Sequence, residues 1–81
     1  MYAANTPGET YIWEGSDLGA ALRRRRQSLG IRQADAARDL GYSSRLLSEM
    51  ENGRDTVAYG KILRYAGYLA MDIVVRERGL R

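Results

Sequence analysis

Residues 41–54 read GYSSRLLSEMENGR, and their polar members are short or forked groups: Ser43, Ser44, Arg45, Ser48 and Glu49. At 3.6 residues per turn, Ser44, Arg45, Ser48 and Glu49 share one helical face, while Leu46, Leu47 and Met50 share the other. Donors and acceptors presented in this way can read base edges in a groove of DNA. Arginine donates to guanine, glutamate accepts from cytosine N4, and serine serves either. The plain alternative is the wet face of a surface helix. Catalysis fits the same residues poorly, because the chain has no histidine to activate a serine and no cysteine for a thiolate metal site or a disulfide. Asp35 and Asp39 are an ordinary i,i+4 surface pair. The chain is expected to be no enzyme and to need neither cofactor nor metal.

Charge along the 81 residues is uneven although the net value is only +3. Residues 1–17 carry Glu9, Glu14 and Asp17 and no base, whereas residues 18–54 carry eight arginines against Asp35, Asp39, Glu49 and Glu51. Almost all the basic residues are arginine, the side chain suited to bidentate contacts with phosphates and bases. No apolar run approaches the ~20 residues of a membrane span, and the N-terminus has neither the basic start nor the apolar core of a signal peptide. A cytoplasmic protein is expected. A chain this short buries a modest fraction of its surface, so association with another chain is expected as well.

Positioning the polar face requires a scaffold, and the pattern supplies helices. Residues 1–9 contain Pro7 and Gly8 without apolar period and read as a flexible tail, within an N-terminal arm spanning 1–15. Tyr11, Ile12 and Trp13 form a short strand or an apolar plug, with Trp13 expected in the core. Ser16 or Asp17 offers a cap to a first helix with Leu18, Ala21, Leu22 and Leu29 inward, ended at Gly30. A second helix fits Gln33–Leu40, with Ala36, Ala37 and Leu40 inward and Gly41 as its breaker. Ser43 caps a third, which Gly53 ends. Thr56 caps a fourth over about 57–69, with Tyr59, Ile62, Leu63, Ala66, Leu69 and Ala70 inward. The period then changes. Residues 71–78, with Met71, Ile73, Val74 and Val75, favour a strand. A lone strand leaves its backbone groups unpaired, so it needs a partner, either residues 10–13 or its own copy in a second chain.

Residues 33–52 taken together form a helix-turn-helix: small Ala37 at the crossing, Gly41 at the turn, and Ala36, Leu40, Leu47 and Met50 fixing the angle. Arg26, Gly30, Gln33, Ala37, Gly41 and the closing Glu51-Asn52-Gly53 give residues 18–70 a specific resemblance to the Cro/C1 (XRE) family. That resemblance implies a mainly α, four-to-five-helix, lambda-repressor-like domain over residues 16–70. It implies that Gln33 touches a DNA phosphate, that Ser43, Ser44, Arg45, Ser48 and Glu49 lie on the recognition helix, and that Arg26 and Glu51 form an internal ion pair. Arg54, just past the closing glycine, joins the expected DNA contacts. The family's usual Thr or Ser before the glutamine is Arg32 here. A lost cap costs ~1 kcal/mol, while an arginine beside phosphate adds an electrostatic contact. Arg32 is read as a phosphate contact.

The ending GRDTVAYGKILRYAGYLAMDIVVRERG is similar to that of HipB-like antitoxins. This resemblance implies that residues 71–81 form a strand and tail, pairing across a homodimer through Met71, Ile73, Val74 and Val75. It further implies an inverted-repeat operator, autoregulation of the operon, and a HipA-type kinase toxin on the dimer's flanks. Two other readings remain open: a free-standing phage- or plasmid-type regulator, and a protein–protein adaptor using Tyr65, Tyr68 and Trp13 as anchors.

Overall fold

The computed structural model describes residues 8–79, so most of the expected tail at 1–9 and the final residues 80–81 lie outside the described residues. Four helices follow in order: α1 (Gly15–Ser28), α2 (Gln33–Leu40), α3 (Ser44–Glu51) and α4 (Tyr59–Tyr68). Their apolar stripes converge on one core of Leu22, Ala36, Ala37, Leu40, Leu47, Met50, Tyr65, Ala66 and Leu69. None of the described helices is long and apolar enough to cross a membrane.

The helix ends follow from local chemistry. Asp17 does not cap α1 as the first residue outside it. It sits one turn in, and its carboxylate accepts the backbone N–H of Trp13 at 2.9 Å and of Glu14 at 3.0 Å. That closes the helix start from inside and leaves Ser16 without the capping role. Gly41 ends α2 at φ +75°, returning the chain so that Tyr42 N–H reaches the Ala37 carbonyl at 2.9 Å. Ser43 caps α3, its Oγ accepting Leu46 N–H at 3.0 Å. Arginines close two carbonyl ends: Arg25 donates to Leu69 O at 2.9 Å and Arg64 to Leu40 O at 2.8 Å.

The crossing of α1 and α3 is set by glycine. A Cβ on Gly19 would lie 2.5 Å from the Glu51 carbonyl oxygen and 2.7 Å from that of Met50. Backbone cannot yield as a side chain does. Gly19→Ala is therefore expected to destabilise by ~1–3 kcal/mol, as other overpacked sites do. Gly67→Ala is the control. It meets nothing within 4 Å, so the better helix propensity of alanine should leave it neutral or raise stability slightly. Thermal melting followed by circular dichroism compares them, and equal midpoints would remove the tight crossing.

The phase of α4 differs from the sequence expectation. Tyr59 and Leu63, expected inward, are exposed at 59% and 44%, while Tyr65 is fully buried. Two stripes of helical spacing compete here. The one containing Tyr65 wins because its hydroxyl donates to the buried Glu51 carboxylate at 2.5 Å. Helix α4 also starts later than expected, with Ala58 rather than Thr56 at its cap. Ala70 is not inside. It takes φ +56° and ends the helix.

Two expectations at the chain ends are corrected. Trp13 is 57% exposed instead of in the core. Its ring lies 6.0 Å from that of Tyr11, and the Arg78 guanidinium stands 5.2 Å from the Trp13 centroid. The strand over 71–78 is absent among the described residues. A strand exists only as part of a hydrogen-bonded ladder, and residues 10–13 meet this segment through side chains, with Arg76 donating to Tyr11 Oη at 2.8 Å. Met71 is half-buried against the core. Val74 and Val75 stand exposed at 78% and 93%, with Ile73 less so at 36%.

Candidate nucleic-acid interface

Glu51, the last residue of α3, organises the site from beneath. Arg26 donates to its carboxylate twice, Nε to Oε2 at 2.7 Å and Nη2 to Oε1 at 3.0 Å, and its third donor bonds the Ile31 carbonyl at 2.9 Å. Tyr65 adds its hydroxyl to Oε2, and Gln33 adds its amide N–H to Oε1 at 3.2 Å. The carboxylate thus takes four donors from α1, α2 and α4, which accounts for its full lone-pair capacity. Burial alone would raise the Glu51 pKa. The bonds from Arg26, Tyr65 and Gln33, with the Arg26 charge, outweigh it and hold the group below its ordinary value of 4.5. The bond to Glu51 in turn raises Arg26, and burial followed by the same carboxylate raises Tyr65. The expected ion pair is present, and Tyr65 is a member that the sequence reading placed on the wrong face.

Above this anchor, α3 turns its polar side outward. Leu47 and Met50 are buried beneath it. Arg45 is 88% exposed in its side chain and lies 3.4 Å from Glu49, one turn on. Ser44 is exposed, whereas Ser43 spends its oxygen on the cap. Ser48 is half-buried and accepts the Asn52 amide at 3.4 Å. Asn52, at the end of α3, thereby steadies this face; it carried no role in the sequence reading beyond its place in the motif. Arg54 is exposed just beyond it.

The start of α2 adds a second group. Arg32 occupies the cap position without a side-chain bond to the backbone, as its lack of a short oxygen dictates. Its guanidinium instead meets Asp35 at 3.0 Å, a bond that holds the Asp35 carboxyl below the usual range. Gln33 follows, half-buried, with one amide N–H committed to Glu51. The four arginines at 23–26 divide: Arg23 and Arg24 are exposed, Arg25 bonds Leu69, and Arg26 is buried. They are not one basic patch.

Residues 17–79 match the profile of the family described as "Helix-turn-helix domain". The chain belongs to that family. It is a DNA-binding helix-turn-helix regulator of the XRE type. Over 62 residues this helix-turn-helix protein is 32% identical to the "ImmF control region 10 kDa protein" of Bacillus phage phi105, covering 76% of this chain and 69% of the phage protein. Among solved structures its fold resembles HipB in a HipB–O2 20mer complex carrying a serine-to-alanine substitution, with a TM-score of 0.79 and 21% identity. That match covers 89% of this chain and all of the other. It also resembles HipB in the "HipB-O4 20mer complex", with a TM-score of 0.78 and 20% identity over 88% of this chain and all of the other.

Proposed function

We propose that this regulator is a sequence-specific transcriptional repressor that binds an inverted repeat as a twofold dimer. The observation that carries the reading is the outward face of α3. Arg45 and Glu49 are directional, exposed or half-exposed, and mounted on a helix whose inner side is fixed by Leu47, Met50 and the Glu51 cluster. Arg45 and Glu49 read bases, Ser44 and Ser48 add shorter contacts, and Ser43 chiefly caps the helix. Arg32, Gln33 and Arg54 meet phosphates. Met71, Ile73, Val74 and Val75 dock on the same segment of a second copy, which would complete there the strand that is absent among the described residues. Binding-site selection should recover an inverted repeat with half-sites about 34 Å apart. Weak binding without sequence preference, abolished by salt, would instead favour the adaptor reading.

The finer role in this proposal is that of an antitoxin, with a HipA-type kinase toxin as partner and its own operon as target. The likeness to HipB across nearly the whole chain supports it at the level of fold. A second reading, a free-standing regulator, draws support from the phage control-region relative, the more similar in sequence. Co-expression with a kinase encoded beside this gene separates them. Co-purification and relief of kinase toxicity favour the antitoxin; repression of the chain's own promoter without kinase binding favours the free-standing regulator.

A further inference from the structure

The N-terminal arm has no role in the DNA-binding proposal, yet it touches the C-terminal segment through two arginine–aromatic pairs. Arg76 lies 5.5 Å from the Tyr11 ring centroid and also donates to its hydroxyl. Arg78 lies 5.2 Å from the Trp13 centroid. Tyr11 and Trp13 are two residues apart and stacked, and so are their partners spaced. Both pairs therefore share one sequence offset, 65 residues. Two segments running side by side in the same direction produce that register, whereas an isolated contact would not. The arm itself is tied down at its other end, because Trp13 N–H and Glu14 N–H bond the Asp17 carboxylate inside α1.

We propose that the arm is a clasp that holds the C-terminal segment in place for a second copy of this chain, a role that rests on the dimer reading above. The segment's own sequence favours its copy as the occupant. Paired antiparallel about a twofold axis at Val74, Ile73 faces Val75 and Asp72 faces Arg76, so next to the axis apolar meets apolar and acid meets base, while Met71, packed on the core of its own chain, stands opposite Glu77. Shifting the axis to Val75 keeps one acid–base pair, Asp72 with Arg78, but sets Ile73 against Glu77 and Val74 against Arg76, so that register is disfavoured. Val74 and Val75 stand exposed at 78% and 93%, and this pairing would cover them. Holding a segment in its bound conformation strengthens association by lowering the entropy lost on binding.

The full chain tests the clasp by sedimentation equilibrium. Removing one arginine–aromatic contact with Arg78→Ala should weaken dimerisation about threefold, and Tyr11→Ala with Trp13→Ala about tenfold. Arg78→Lys should restore most of the loss, since a cation over the ring remains. The helical melting of the domain should not change, because neither ring belongs to the core. Emission of Trp13, the single tryptophan, should shift in Arg78→Ala. A dimer whose association constant ignores the arm variants would overturn the clasp alone. A wild type that stays monomeric at micromolar concentration would overturn the dimer and, with it, this use of the arm.

Discussion

Arg26→Ala is expected to lower the stability of the domain by ~3–5 kcal/mol, whereas Arg24→Ala changes it by less than ~0.5 kcal/mol. The two residues are near neighbours in sequence with the same charge, so only their surroundings differ. Arg26 has 10% of its side chain exposed and Glu51 has 3%, whereas Arg24 is exposed. Removing Arg26 strands a buried carboxylate that has lost two of its four donors. Small domains are held by only ~5–15 kcal/mol, so this loss removes a large share of the variant's stability. Tyr65→Phe gives a graded companion: it removes one hydroxyl from a charged acceptor and should cost ~1.5–3 kcal/mol. Urea denaturation measures all three, and equal midpoints for Arg26→Ala and Arg24→Ala would remove the cluster from its central place.

The same cluster sets a pH dependence. Glu51 is held below its ordinary 4.5, so the native state binds fewer protons than the unfolded chain in that range. Its contribution is present above 4.5 and is lost as pH falls through the lower, folded value. Tyr65 is raised above its ordinary 10.0. Its contribution is complete below 10.0 and is lost as pH rises through the folded value. In Tyr65→Phe the alkaline loss should shrink while the acid loss persists, because Arg26 and Gln33 still hold Glu51.

What the sequence made legible divides along physical lines. Helices α1, α2 and α3 carry their boundaries locally, in Gly30, Gly41, Ser43 and Gly53, and a helix end depends on residues within one turn. The Arg26–Glu51 pair came from the family resemblance; no spacing rule joins residues 25 apart. Tyr65 was misplaced because Ile62, Leu63, Ala66 and Ile62, Tyr65, Ala66 are both apolar stripes of helical period. The choice between them is made by a carboxylate on another helix. Gly19 carries no local signal for a similar reason, since the backbone it approaches lies in α3. The β-branched run at 73–75 favours a strand over 71–78, but such a run expresses itself only when another backbone completes the ladder. Composition places Trp13 in the core, yet the arginine that stands over its ring, Arg78, lies at the opposite end of the sequence.

Arg45→Ala should lose ~1–3 kcal/mol of DNA binding per contacted half-site and flatten preference at one base position. Folding should be untouched. Arg45 is 88% exposed, and its bond to Glu49 at 3.4 Å is an exposed i,i+4 pair, of a kind worth only about 0–1 kcal/mol. That weak bond can open for a guanine without disturbing α3, which Leu47, Met50 and Glu51 hold from below. In the proposed complex Glu49 would then be released to accept from a base of its own, and the two side chains would act as a linked reading pair. Arg32→Ala makes the contrast. Arg32 stands at the start of α2, away from that pair, and binds Asp35 rather than the helix backbone. Its loss should weaken every sequence alike and reduce the salt slope by about one. Binding-site selection on wild type, Arg45→Ala and Arg32→Ala measures both effects. An unchanged motif of unchanged strength in Arg45→Ala would remove Arg45 from base reading, and a motif altered by Arg32→Ala would move Arg32 from phosphate to base.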